Sequence, residues 1–315
     1  MNIADIKAEF GAYYLASGQN FKNLLTLLYH KSEMENEFTT KVTDSDIWRD
    51  SKVSIGRLLQ PFQKGWTPTQ VAKFEPSEIR QFPVKVDYED YPDDLRSSWL
   101  GFLVDNKLNR AEWPIVRWLV ENLIIPKMQE DYELYEVFKG VYVAPTPGVA
   151  GPAGTAINGV EYWIQKAITK GVAPITMGSI DGLTDKETVD YVEDFCRQID
   201  SLYRNAALTS LACNQDIALR YSYGYGEKYG QRMDFTGDSM KVKGTNIQLK
   251  GFKSMQGSDR LWITPKGNAV RLQKENVSSS NFQLESLKRQ IFLYNDSHKG
   301  LGFSILDLLF FSDQA

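Results

Sequence analysis

Side chains suited to covalent or acid–base chemistry are sparse in this chain. Its two histidines, His30 and His298, fall in an N-terminal helical pattern and in a polar, turn-like run; its two cysteines, Cys196 and Cys213, fall in a helical and a strand-like segment. A zinc site needs clustered Cys and His ligands, and neither a His pair nor an HExxH pattern is present. A Ser or Cys triad would have to use one of these two histidines, and neither cysteine has the surroundings of a nucleophile. Isolated thiols of this kind are usually small buried hydrophobes, so reduced cysteines and no disulfide are expected.

Phosphate-binding glycine patterns fail on spacing. Gly224-Tyr-Gly226 is followed by Glu227-Lys-Tyr-Gly230, which is not a dinucleotide fingerprint, and the run from Gly148 to Gly154 lacks the Lys-Ser/Thr end of a P-loop. Both read as flexible loops. The tyrosines between Tyr221 and Tyr229 could stack on bases, but without basic neighbours they read as an adhesive loop or packed surface. Asp87, Glu89, Asp90, Asp93 and Asp94 are the densest acidic cluster. Lacking the glycine and closing glutamate of a calcium loop, they read as a solvated face or as a contact for Lys or Arg of another subunit. No carboxylate pair stands out for acid–base work, so no catalytic, metal or cofactor residue is assigned.

Composition narrows the class further. Over 315 residues, 42% hydrophobic and 24% charged side chains with 16 Phe, 16 Tyr and 7 Trp describe a globular chain with a sizeable core, not a disordered one. The 36 basic against 40 acidic side chains, a formal charge of −4, argue against a protein whose main task is displacing counterions from nucleic acid. The uncharged run 140–160 is broken by Pro145, Pro147 and Pro152, and 301–311 is too short to span a bilayer, so no membrane partner is expected. With Asp5, Lys7 and Glu9 near the start no export signal is read, and the chain is expected to stay where it is made.

Elements must position whatever these residues do. Ile3, Ile6, Phe10 and Tyr13, then Phe21, Leu24, Leu25 and Leu28, recur at helical spacing, and stripes this narrow need cover from the body or a neighbour. Phe82, Val84, Val86 and Tyr88 alternate with Pro83, Lys85 and Asp87, giving a strand that Pro83 confines to an edge. A turn through Lys64, Gly65 and Trp66 is expected to join it to an earlier strand near 53–59, as a long hairpin with little core of its own that must be stabilised by contacts elsewhere. A long helix over 113–138 follows, with Pro114 in its first turn and a kink or break at Pro126. The Pro/Gly-rich loop 144–158 reads as the most mobile segment. Thr184-Asp-Lys-Glu187 reads as a capping box opening a helix as far as Leu202. Short strands are expected near 247–249, 261–263, 270–272 and 290–294, the last turning through 295–300 to pair with 302–310. This order is α+β, not the alternation of a doubly wound sheet.

Three stretches, Gly251-Phe-Lys-Ser-Met-Gln-Gly-Ser-Asp259, Trp262-Ile-Thr-Pro-Lys-Gly-Asn268 and Phe282-Gln-Leu-Glu-Ser-Leu-Lys-Arg289, resemble the ending of major capsid proteins from tailed phages, particularly those of Bacteroidetes hosts. The order of elements resembles the Hong Kong 97 capsid fold over nearly the whole chain. The resemblance implies an α+β subunit with an N-terminal arm (1–37), an extended hairpin loop (38–95), a peripheral domain with a spine helix (96–140), an axial domain (141–285) and C-terminal return strands (286–315). It implies a structural protein and not an enzyme, without cofactors, whose copies assemble as hexamers and pentamers into an icosahedral head around double-stranded DNA.

Further partners implied are scaffolding, portal and decoration proteins, and packaged DNA held nonspecifically. Scaffolding would be separate or absent, because no long charged helical leader is read. The implied location is the virion, and the host cytoplasm during assembly. No lysine and asparagine are assigned to the subunit cross-linking known in part of the family. Contacts between subunits are expected at Phe10, Tyr13, Phe21, Leu25, Lys64, Gly65, Trp66, Asp87, Glu89 and Asp90. The alternatives are another phage structural protein, such as a tail or head-completion component, and a carboxylate-based enzyme of the glycosidase kind.

Overall fold

The structure, a computed structural model, describes residues 33–54, 58–68, 72–199, 203, 206–230, 235–236, 239–274, 282–287 and 290–314. A 3-10 turn, Met34–Glu37, leads into strands β1 (Thr39–Val42), β2 (Ile47–Ser54), β3 (Lys73–Arg80) and β4 (Phe82–Asp90). Helix α1 (Pro92–Asp105) follows, then a long helix α2 over 115–137, α3 (Val160–Lys170) and α4 (Asp185–Gln198). Strand β5 (Leu211–Asn214) runs directly into α5 (Gln215–Tyr229). Strands dominate thereafter: β6 (Phe235–Thr236), β7 (Ser239–Lys241), β8 (Gln248–Phe252), β9 (Trp262–Ile263), β10 (Ala269–Gln273), β11 (Gln283–Leu287), β12 (Gln290–Phe303) and β13 (Phe310–Phe311).

β12 is the axis of the first sheet. It pairs antiparallel with β4 over 291–299, with β11 over 290–294 and with β10 over 300–303, and β1 adds parallel to β10. A second sheet has the order β13-β9-β5-β8-β7-β6, and among the described residues β2 and β3 pair only with each other. Helix α2 packs on the first sheet through Leu119, Ile124 and Ile125 with Ile291 and Leu293. Helices α4 and α5 cover the second through Val192, Phe195, Ile217 and Tyr221 with Leu249 and Ile263. Trp163, Phe252, Trp262 and Phe303 centre a further core shared by both sheets. Cys196 and Cys213 are buried and in no disulfide, and burial pushes the Cys213 thiol up, away from a reactive thiolate. No helix among the described residues is long and apolar enough to cross a membrane.

The structure corrects several local readings. The strand Phe82–Asp90 does not close the hairpin: β3 does, with Ile47 opposite Arg80 and Ser54 opposite Lys73, while β4 crosses to the body and pairs with β12. Pro83 lies opposite His298, and among the described residues β4 has no strand on its other side, as an edge proline requires. β12 runs unbroken through 295–300 where its polar residues suggest a turn, because buried Asn295 and Ser297 continue the alternation of buried Ile291 and Leu293.

Helix α2 passes Pro126 without a break. It alternates α and π turns, the latter over Val120–Ile124 and Tyr132–Val137. The Ile125 N–H donates to the Val120 carbonyl immediately before the proline, so the ladder is already widened where an α-helical proline would lose a bond and clash. The tyrosines of 221–229 lie on α5 and not in a loop. Gly224 lets that helix approach α4, since a Cβ there would lie 2.0 Å from the Asp185 carbonyl oxygen. At the start of α4, Thr184 and Glu187 form both halves of the capping box, but the helix ends at Gln198.

The base of loop 144–158 is bound to α2. The Glu136 carboxylate accepts the backbone N–H groups of Gly154 (2.8 Å), Ala156 (2.9 Å) and Ile157 (3.3 Å), and the Asn158 side-chain oxygen accepts that of Tyr142 (2.9 Å).

Candidate functional site

The candidate interaction surface is the β2–β3 ribbon. Residues directly opposite share a face, so Trp48 and Ile79, Asp50 and Ser77, Lys52 and Glu75 form one side, and Arg49 and Glu78, Ser51 and Pro76, Val53 and Phe74 the other. The first side begins in the core, where Ile79 is 1% exposed and Trp48 packs against the same cluster. The opposite side ends in the exposed apolar pair Val53 and Phe74. An isolated two-stranded ribbon is marginal in water, so contacts beyond its own ladder must help to stabilise it, and its root on the body supplies some of them.

The far end carries Leu58, Leu59, Phe62 and Trp66, of which Phe62 is 93% and Trp66 92% exposed. Polar ties shape it from within. The Gln60 side chain donates to the Thr67 carbonyl (2.5 Å), the Gln63 side chain donates to the Thr67 hydroxyl (2.7 Å), and that hydroxyl donates to Gln60 Oε1 (3.2 Å). The apolar side chains are left facing water. Monomeric soluble proteins rarely expose large apolar side chains so closely grouped along the chain, which makes this end the candidate interaction surface.

Of the residues expected at subunit contacts, Lys64, Gly65 and Trp66 lie in this exposed end, and a Cβ on Gly65 would meet nothing within 4 Å. Asp87 and Glu89 are exposed on β4, on a different element, with Asp87 paired to Lys85. Asp90 is half-buried and engaged internally, accepting from the Tyr88 hydroxyl (2.5 Å) and the Tyr91 N–H (2.7 Å). Burial and that carboxylate together push the Tyr88 hydroxyl up. Phe10, Tyr13, Phe21 and Leu25 lie outside the described residues. No group of three or more metal-ligating side chains occurs among the described residues.

A buried charged cluster escapes local sequence reading. Glu35, 1% exposed, lies 3.4 Å from the Arg271 guanidinium and 3.9 Å from Lys299 Nζ, and accepts from the Tyr132 hydroxyl at 3.3 Å. Glu133 accepts the Met34 N–H, so α2, β10 and β12 together hold the 34–37 turn. Arg260, also buried, bonds Glu161 and the Ser312 carbonyl, fixing the last strand to α3. Arg271, between Val270 and Leu272, and Glu161, between Val160 and Tyr162, carry the local signal of a charge flanked by apolar residues; Glu35, Lys299 and Arg260 do not.

No family model and no curated protein sequence matches the chain. Solved structures do. A chain of the satellite phage P4 procapsid including size determination (Sid) protein superposes with a TM-score of 0.54 at 10% identity, covering 93% of this chain and 97% of that one. The capsid of an empty GTA particle gives 0.54 at 10%, covering 89% of each chain. This chain has the Hong Kong 97 capsid fold. The holo-SrpI encapsulin complex from Synechococcus elongatus shares it, with a TM-score of 0.51, 10% identity and coverage of 89% and 86%. At such identity the likeness is one of backbone path. Within that capsid fold the exposed ribbon is a separate two-stranded sheet, α2 is the longest helical element among the described residues, and β12 is the long strand beneath it.

Proposed function

We propose that the chain is the major capsid subunit of a tailed phage or prophage, assembling with copies of itself into a closed icosahedral head around double-stranded DNA. One observation carries the reading: four large apolar side chains, Leu58, Leu59, Phe62 and Trp66, stand on a ribbon without a core of its own, in a chain with a capsid fold. Covering them by a second copy removes apolar surface from water and completes the ribbon's support. The role is structural and not catalytic.

In this reading the arm is 1–37, the extended loop 38–95, within which the ribbon occupies 47–80, the peripheral domain with α2 is 96–140, the axial domain is 141–285 and the return strands are 286–315. Phe10, Tyr13, Phe21 and Leu25 of the arm, and Asp87, Glu89 and Asp90 of β4, are further contacts, the carboxylates meeting Lys or Arg of a neighbour. Hexamers and pentamers are the assembly units, scaffolding, portal and decoration proteins the partners, and the virion the location, after assembly in the host cytoplasm. A Bacteroidetes host rests on the C-terminal motifs alone. Deleting 63–69 tests the reading: the chain should remain folded and soluble but stop forming particles. An unfolded product would place the segment in the internal core instead.

A further inference from the structure

We propose that the β2–β3 ribbon is a lever, hinged at Trp48 and Ile79 and latched to its own chain by two ion pairs of opposite polarity, Lys52 with Asp307 and Glu75 with Lys170. Lys52 and Glu75 stand directly opposite on the ribbon, a position in which unlike charges ordinarily pair with each other. Each instead reaches the body. The Lys52 ammonium bonds the Asp307 carboxylate in the Leu306–Leu308 turn, and the Glu75 carboxylate lies 3.3 Å from Lys170 Nζ at the end of α3, while also taking Lys73 at 3.1 Å.

Beyond the hinge, this side of the ribbon presents only Asp50, Ser77, Lys52, Glu75, Ser54 and Lys73, none of which supplies apolar burial. The latch is therefore what holds the ribbon down past its root, four residues or about 13 Å along the strand. Its alternating signs also fix lateral position, since a shift of one strand spacing, about 4.8 Å, would set like charges against each other. All four side chains are partly exposed, from 29% for Lys52 to 44% for Lys170, so salt and water reach them and the latch is releasable. On the shell-subunit reading, on which this consequence rests, the latch sets the direction in which Phe62 and Trp66 meet a second copy.

The test reads an intrachain distance. Because Cys196 and Cys213 are buried, the substitutions Gly65→Cys at the exposed end and Ile168→Cys on α3 would take spin labels selectively in the full chain, diluted with unlabelled chain. At about 50 mM salt a single narrow distance is expected, and its loss to a broad distribution at about 500 mM, where screening is several-fold shorter in range. Asp307→Lys should broaden it at low salt, and Lys52→Asp with Asp307→Lys should narrow it again. Equal widths in all samples, or a double reversal that stays broad, would overturn the latch. The distance is readable whether or not particles form, so a salt-sensitive distance in a chain that makes no particles would retain the latch and reject the shell reading.

Discussion

Glu35 and Arg271 face each other at 3.4 Å in the interior, joining the turn that precedes β1 to a strand more than two hundred positions later in the chain. Lys299 and the Tyr132 hydroxyl complete the surroundings of that carboxylate. Breaking a buried pair from one side leaves the other charge desolvated, so Glu35→Gln should lower stability by about 3–5 kcal/mol. Adding Arg271→Met should restore part of the loss. Urea midpoints of the three chains check this; a cost below about 1 kcal/mol for the single change would mean that the pair behaves as a surface one.

Two glycines on one helix separate packing from propensity. A Cβ on Gly224 would lie 2.0 Å from the Asp185 carbonyl oxygen, whereas one on Gly226 would meet nothing within 4 Å. Gly224→Ala should therefore cost about 1–3 kcal/mol by forcing α4 and α5 apart. Gly226→Ala should stabilise by about 1 kcal/mol through helix propensity alone. Thermal unfolding of both variants decides it, and equal effects would remove close helix approach as the reason for Gly224.

Patterns within about fifteen residues were legible in the sequence: the alternation of β4 with its edge proline, the Thr184 capping box and the turn around Trp66. What was hidden depends on distant partners. The polar residues 295–300 look like a turn until β4 is seen paired along 291–299 of β12, and 221–229 looks like a loop until Gly224 is seen against Asp185. The ribbon's exposed end could be read from Trp66, but Lys52 and Asp307 lie 255 positions apart, with nothing local to link them.

The loop 144–158 should show two regimes in hydrogen exchange. Amides of Gly154, Ala156 and Ile157 donate to Glu136 and should be protected, while 144–151, whose side chains are exposed, should exchange fast. Glu136→Ala should abolish the protection at those three amides. Fast exchange there in the unaltered chain would return the whole loop to the mobile class that its composition suggests.

His298 gives the fold a pH dependence of known sign. Burial first, and then the positive charge of Lys274, hold its imidazole below the ordinary 6.5, with Asp46 and Asp296 pulling the other way. The unfolded chain then binds the proton more readily, so the contribution is fully present above pH 6.5 and is lost as pH falls below it. Urea midpoints should drop between about pH 7.5 and 5.5, and His298→Gln should flatten that drop. An equal drop in both chains would assign it to other groups.

The shell reading is tested most directly by electron microscopy of the purified full chain. Closed particles of uniform size, with each ribbon lying across the neighbouring copy and Phe62 and Trp66 covered, are the predicted result. A folded chain that remains a small, monodisperse oligomer at every concentration, with Trp66 still exposed, would contradict it.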